Sequence, residues 1–336
     1  MTETLERPTE RTRTVHGEAF RRRVRENGAV ASIALFLIVV AVVFSLVTDT
    51  FLSQPNFLNI LRQIAPLMIV AVAMTFVITT GGIDLSVGSI LALVNALAAI
   101  SLGAGVPWPA VVVLMLLTGA LIGAAQGYFV AFEGIPPFIV TLAGLSMIRG
   151  FALFLTRGYS IPIDPNSPFN EIGRGWAVGV PLPALLAVAV LIVGYVVFNA
   201  TTFGRYVTGV GANAEAVRRS GVNTRRVVLL VYVISGAAAA LAGIIIAARL
   251  GSGSSNAGSG FELDVIAAVV LGGTSLFGGR GTMTGTLLGA LTVAVIGNGL
   301  ILAHISPFLA PIVTGAIILI AIWLNFRIFR TGRRGA

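Results

Sequence analysis

The chain carries long apolar stretches spaced so closely that little else fits between them. Ten segments of about 20 mostly uncharged residues run near 29–48, 57–80, 84–104, 108–131, 135–156, 182–199, 227–249, 263–278, 283–303 and 306–326. A helix of about 20 apolar residues is what crosses the ~30 Å hydrocarbon core of a bilayer. In hydrocarbon each backbone polar group must be satisfied internally, which a helix does within its own segment. The expected fold class is therefore all-α: a polytopic membrane helical bundle of about ten transmembrane segments, some broken or re-entrant. The eighth segment, short and punctuated by glycines, is the one expected to break. Charged residues make up 10% of the 336 positions, against roughly 25% in soluble domains. No room is left for a soluble catalytic domain, so an enzyme is not expected.

The basic residues orient the bundle. All 22 are arginine, and the net charge is +9. In a soluble protein that charge would suggest nucleic acid; here the excess of positive residues in cytoplasmic loops explains it, and no nucleic-acid partner is expected. With the N-terminus inside and ten spans threaded, 17 of the 22 arginines fall on one side. Both termini are then cytoplasmic, in a multi-pass protein of the bacterial inner or cytoplasmic membrane, surrounded by lipid. The expected division is a cytoplasmic tail at 1–28, a transmembrane domain at 29–326 and a cytoplasmic tail at 327–336. The first apolar run is longer than a signal-peptide core and lacks a small-residue cleavage site, so it reads as a retained anchor.

Three loops stand out. Residues 157–181 are proline-rich, and residues 250–262 contain Gly251-Ser-Gly-Ser-Ser-Asn-Ala-Gly-Ser-Gly260, which reads as a flexible polar linker. Both are expected outside, as connectors or as surfaces for an external partner. The largest inside loop, 200–226, contains a pattern for a short helix over 214–220. Asn213 is placed to accept from the free N–H groups of its first turn. Glu215 sits near its positive end, Arg218 and Arg219 near its negative end, and Gly221 suits the left-handed residue that ends it. A capped helix there has the shape of a docking element. Arg280 falls on the same side.

Gly81-Gly82-Ile83-Asp84-Leu85-Ser86-Val87-Gly88-Ser89 sets one carboxylate between two apolar segments, and no other acid lies between Asp49 and Glu133. A charge near hydrocarbon costs about 2.5–3.5 kcal/mol on the insertion scale unless it faces protein or water. Three readings of Asp84 are open. It is a solvated cap at a cytoplasmic turn, which the threading favours; a structural anchor working with Ser86 and Gly88 or with an arginine; or a solute contact. Arg149, inside the fifth segment, either snorkels to an interface or pairs with an acid such as Glu133 or Asp84. Asn95, Gln126 and Asn298 lie within spans. Each is a candidate to line a pathway for a hydroxylated solute, with an interhelical hydrogen bond as the plainer reading. Gly278-Gly279-x5-Gly285 echoes Gly81-Gly82-x5-Gly88, a match too short and glycine-rich to establish a repeat.

Much chemistry is absent. There are no cysteines and no lysines, so thiolate chemistry and a lysine-bearing phosphate loop are excluded. His16 and His304 fall on opposite sides, which leaves no shared metal site, and no cofactor is expected. ATP-driven transport would need its nucleotide chemistry on another polypeptide.

The block Gly81–Leu93 resembles the signature of the permease subunits of bacterial ABC sugar importers of the ribose/xylose/arabinose type. The loop Gly211–Arg226 with Tyr232-Val-Ile-Ser-Gly236, and the stretch Asp264–Gly281, resemble two further blocks of that family in the same order. The resemblance runs from about 55 to 325. It implies a pair of permease copies or paralogues, cytoplasmic ABC ATPase subunits that grip the 212–221 helix through Asn213, Glu215, Arg218, Arg219 and Gly221, and an extracytoplasmic sugar-binding protein. Gly81, Gly82, Asp84, Ser86 and Gly88 enter as family motif. Two alternatives stand beside a monosaccharide or polyol importer. One is an ABC permease for branched-chain amino acids, nucleosides or a signalling furanose. The other is an autonomous ion-coupled transporter, disfavoured by the scarcity of intramembrane acids.

Overall fold

The computed structural model describes residues 30–306, 308–317 and 319. The tails expected at 1–28 and 327–336, and the far end of the tenth span, lie outside the described residues. The helices are α1 (Val30–Val47), α2 (Gln54–Thr79), α3 (Val87–Gly103), α4 (Trp108–Ala131), α5 (Pro137–Thr156), α6 (Glu171–Arg174), α7 (Leu182–Ala200), α8 (Thr202–Arg219), α9 (Thr224–Leu250), α10 (Phe261–Leu271) and α11 (Met283–Leu302), with residues 310–317 again helical. Seven of them, α1, α2, α4, α5, α7, α9 and α11, are long and apolar enough to cross a membrane. The expected polytopic helical bundle is what forms. The eighth predicted segment does break: α10 has 11 residues and stops at Gly272.

Helix starts follow local chemistry. Ser53, Thr201, Asn223 and Thr282 each accept from a backbone N–H of the first turn of α2, α8, α9 and α11, satisfying donors that have no intrahelical partner. Helices α4, α5 and α7 start with proline instead, whose missing N–H is no loss at that position.

Helices α2, α9 and α11 form the centre, with 61–78% of their most apolar windows buried, while α1, α4, α5 and α7 are 11–28% buried. The outer helices expose residues such as Leu46, Leu121, Met147, Phe154 and Ile192, the sheath that lipid would cover. Close packing comes from small residues. Gly119, Gly123 and Gly127 form one face of α4 against Leu229, Tyr232 and Gly236 of α9, and a Cβ at Gly119 would lie 2.5 Å from that of Ala240. Without a hydrophobic drive between helices in lipid, such backbone approach supplies the dispersion contact that holds them.

Two short strand pairs finish one end: β1 (Ile161–Pro162) with β4 (Ser252–Gly253), and the hairpin β2 (Trp176–Ala177) with β3 (Val180–Pro181). The first pair corrects the reading of 250–262 as a flexible linker. From β4 the chain passes along α3 towards its start: Ser254 donates its N–H to Asn95, and Gly258 approaches the Gly88 carbonyl. Arg149 of α5 fixes this segment, donating to the carbonyls of Ser255 (2.7 Å), Ala257 (2.9 Å) and Gly258 (3.3 Å). Three carbonyls, and neither Glu133 nor Asp84, are what this arginine binds.

Candidate functional site

The expected loop 200–226 is helical almost throughout. Its first half carries Phe203, Val207 and Val210 at spacings of four and three residues, one stripe of an amphipathic helix, packed into the main core. At Asn213 the backbone becomes extended (φ −163°, ψ 92°) and α8 bends. The Asn213 side chain then accepts from Ala216 N at 2.9 Å. Gly221, at φ +87°, ends the helix in the left-handed conformation that glycine adopts without a Cβ penalty. The cap and the stop lie where the sequence placed them; the buried half preceding them was not anticipated.

Beyond the bend, the side chains clasp one another. Glu215 accepts from Arg218 Nε at 2.8 Å and Nη2 at 3.0 Å, and from Arg219 Nε at 2.9 Å. These hydrogen bonds, Arg218 first, pull the Glu215 carboxyl down to about 2. The side chains remain 49–78% exposed. The surface is thus a preformed, net-positive helix turn open to a partner.

The base of this element is locked to the core by a junction of glycines. A Cβ at Gly211 would sit 2.5 Å from Gly279 N and closer still to the Thr79 carbonyl oxygen. Gly279 N donates to that same oxygen at 2.9 Å, and Gly278 packs against Gly81 and Gly211. Nearby, the hydroxyls of Thr75 and Thr286 lie 2.7 Å apart. The last turn of α2, the turn between α10 and α11, and the bend of α8 therefore meet backbone to backbone. The two similar Gly-Gly turns touch at this junction. Arg280, exposed beside it, engages its carbonyl with Ser275 N.

Asp84 lies deeper than expected. It is fully buried, accepting from Ser86 N (2.9 Å), Ser86 Oγ (2.6 Å) and Ser235 Oγ (2.7 Å). Ser235 is 11 residues into α9, about 16 Å along it at 1.5 Å per residue. The favoured reading of Asp84 as a solvated cytoplasmic cap is overturned: the break between α2 and α3 sits inside the bundle, and hydroxyl donors replace water. No arginine pairs with it among the described residues. Ser86 Oγ also lies 2.9 Å from the Gln126 amide. One hydroxyl proton serves one acceptor at a time, so the Asp84 carboxylate and the Gln126 amide oxygen share the Ser86 donor. Gly82 is packed against the Tyr232 hydroxyl, and Gly88 against Glu262 and the Gly258 carbonyl. The motif therefore knits the break to α4, α9 and the 252–260 segment.

The other span amides are engaged between helices. Asn298 and Asn56 exchange reciprocal hydrogen bonds of 2.9 and 3.0 Å between α11 and α2. Asn95 receives Ser254 N and donates to the Gly243 carbonyl at 3.3 Å. As placed, neither presents a free polar edge to a pathway.

The fold is a multi-pass helical bundle that bears an exposed, clasped helix turn packed against its helix breaks. Residues 56–322 match the family described as the permease component of branched-chain amino acid transport systems, and the chain belongs to that family. It is 41% identical to the ribose import permease protein RbsC of Bacillus subtilis (strain 168), over 90% of this chain and 95% of that one. It is 43% identical to the probable ABC transporter permease protein YphD of Escherichia coli (strain K12), over 90% of each. The xylose transport system permease protein XylH of the same strain is 36% identical, over 86% of this chain and 89% of that one. No solved structure matches the chain.

Proposed function

We propose that this protein is the transmembrane permease subunit of an ATP-binding-cassette importer, forming an alternating-access path for a monosaccharide or similar small polyol. The observation that carries the reading is the Asn213–Arg219 turn, capped, self-clasped and exposed, yet anchored through Gly211 to the end of α2. A separate ATPase would grip that turn on the cytoplasmic side and displace the helix breaks at the glycine junction. ATP hydrolysis belongs to that partner, since the chain has no lysine for a phosphate loop, and the permease performs no covalent chemistry. The arginine distribution supports a cytoplasmic α8 with both termini on its side. A second permease copy or paralogue would complete the path, and an extracytoplasmic binding protein would deliver the solute at the far end.

The family's description extends to branched-chain amino acids, but the relatives named for ribose and xylose favour a sugar. Two measurements test the reading. Uptake into vesicles is expected with the ATPase and ATP, and none without the ATPase; ion-driven uptake lacking the ATPase would overturn it. A sugar is expected to raise the melting temperature of the cognate binding protein, whereas stabilisation by leucine alone would move the solute to amino acids.

A further inference from the structure

The end of the bundle opposite the α8 bend carries positive charge that the chain leaves unbalanced. Arg62, two turns into α2, and Arg249, in the last turn of α9, share a cleft of about 420 Å³ with Asn59, Gln63 and Ile301. Arg62 Nε and Arg249 Nη1 are buried and have no hydrogen-bond partner. A third guanidinium, Arg174, donates to the Arg249 carbonyl at 2.9 Å, and the Trp176 ring stacks 5.0 Å from Arg62. Among the described residues no carboxylate forms an ion pair with any of the three. The charges of Arg62 and Arg249 repel across the cleft they share.

A buried guanidinium N–H left unsatisfied costs about as much as a lost charged hydrogen bond. Two like charges side by side add to that cost unless an anion joins them. A planar fork of donors matches a carboxylate. The flanking Trp176 is half-exposed, and tryptophan beside arginine is the composition of a protein-binding hot spot. The cleft lies at the end where the solute must arrive, away from the ATPase-facing turn. We propose that the Arg62–Arg249 cleft, with Arg174 and Trp176 at its rim, is a docking site for an acidic side chain of the extracytoplasmic binding protein. This inference rests on the import reading above. Docking would neutralise the pair and engage α2 and α9, the helices that reach down to the glycine junction and to Asp84.

The test measures binding of the system's own purified binding protein to the wild-type permease–ATPase complex in lipid nanodiscs, and to Arg62→Gln, Arg62→Lys and Arg249→Gln complexes. For each glutamine variant the dissociation constant is expected to rise about tenfold or more, with Arg62→Lys affected less. Wild-type affinity is expected to fall as salt rises, because charge pairing at the rim is screened; this arm needs no variant to fold. An acidic-to-arginine variant of the binding protein is expected to regain affinity for an Arg62→Glu permease. Unchanged, salt-independent binding in folded variants overturns the docking site alone. Failure of the binding protein to bind the wild-type complex overturns it together with the import reading, which the vesicle assay tests separately.

Discussion

Gly211→Ala attacks the link between the exposed turn of α8 and the membrane core. The added methyl would lie 2.5 Å from Gly279 N and nearer still to the Thr79 carbonyl oxygen, whereas ordinary contact begins at 3.4 Å. It lands on the 2.9 Å hydrogen bond between these two groups, so α8 must retreat by more than the roughly 1 Å that Gly279 N alone requires, or the bond must open. Overpacking of this kind costs typically about 1–3 kcal/mol, and losing the bond adds about 0.5–1.5 kcal/mol. The obstructing atoms are backbone on two separate segments, so no side-chain rotation relieves the strain. The variant is expected to insert normally, to lose about 2–4 kcal/mol of resistance to denaturation in detergent, and to weaken stimulation of the ATPase by loaded binding protein. Serine is expected to behave like alanine, since any Cβ meets the same atoms. Wild-type stability and full coupling in Gly211→Ala would refute the claim that this contact is tight and transmits motion.

Three further outcomes follow from the geometry. Asn298→Leu leaves the Asn56 amide with one of its three hydrogen bonds, that to the Phe51 carbonyl, and is expected to destabilise by about 0.6–1.7 kcal/mol; the Asn56→Leu/Asn298→Leu pair is expected to recover much of that, as thermal unfolding would register. Ser235→Ala removes one of three donors from fully buried Asp84 and is expected to cost about 1–3 kcal/mol, read as a lower unfolding midpoint; an unchanged midpoint would show that water takes the place of that hydroxyl. The folded-state carboxyl of Glu215, at about 2, lies below its ordinary 4.5. The clasp therefore contributes fully above about pH 4.5 and is lost as pH falls towards 2, so a ¹³C-carboxyl label on Glu215 should still report the ionised form at about pH 4, where a carboxyl at its ordinary 4.5 is mostly protonated.

The helical bundle was legible because hydrocarbon imposes length and apolarity on every span. The break in the eighth segment was legible for a related reason: Gly272-Gly273 follows too few residues to cross. The Asn213 cap and Gly221 stop were legible because capping is local chemistry. Asp84 was misplaced because threading assigns a turn to the membrane surface by default. Its donor Ser235 lies 151 positions further along the chain, and nothing local announces the pairing. The buried half of α8 was hidden by its polar residues, although Phe203, Val207 and Val210 already mark a stripe. The spacing of Gly119, Gly123 and Gly127 signals close helix packing in the same way. Residues 250–262 read as a linker from composition alone, and the groups that fix them, Arg149, Asn95 and the Ile161–Pro162 strand, lie far away in sequence.

The central claim is that the Glu215–Arg218–Arg219 turn receives the force that drives transport. ATP-dependent uptake of the cognate sugar into proteoliposomes holding the permease, its ATPase and its binding protein tests this most directly, comparing wild type with Glu215→Arg/Arg218→Glu/Arg219→Glu. The account predicts that the triple variant inserts and folds as wild type does, hydrolyses ATP at the unstimulated rate, and moves no sugar. Wild-type uptake by that variant would contradict it.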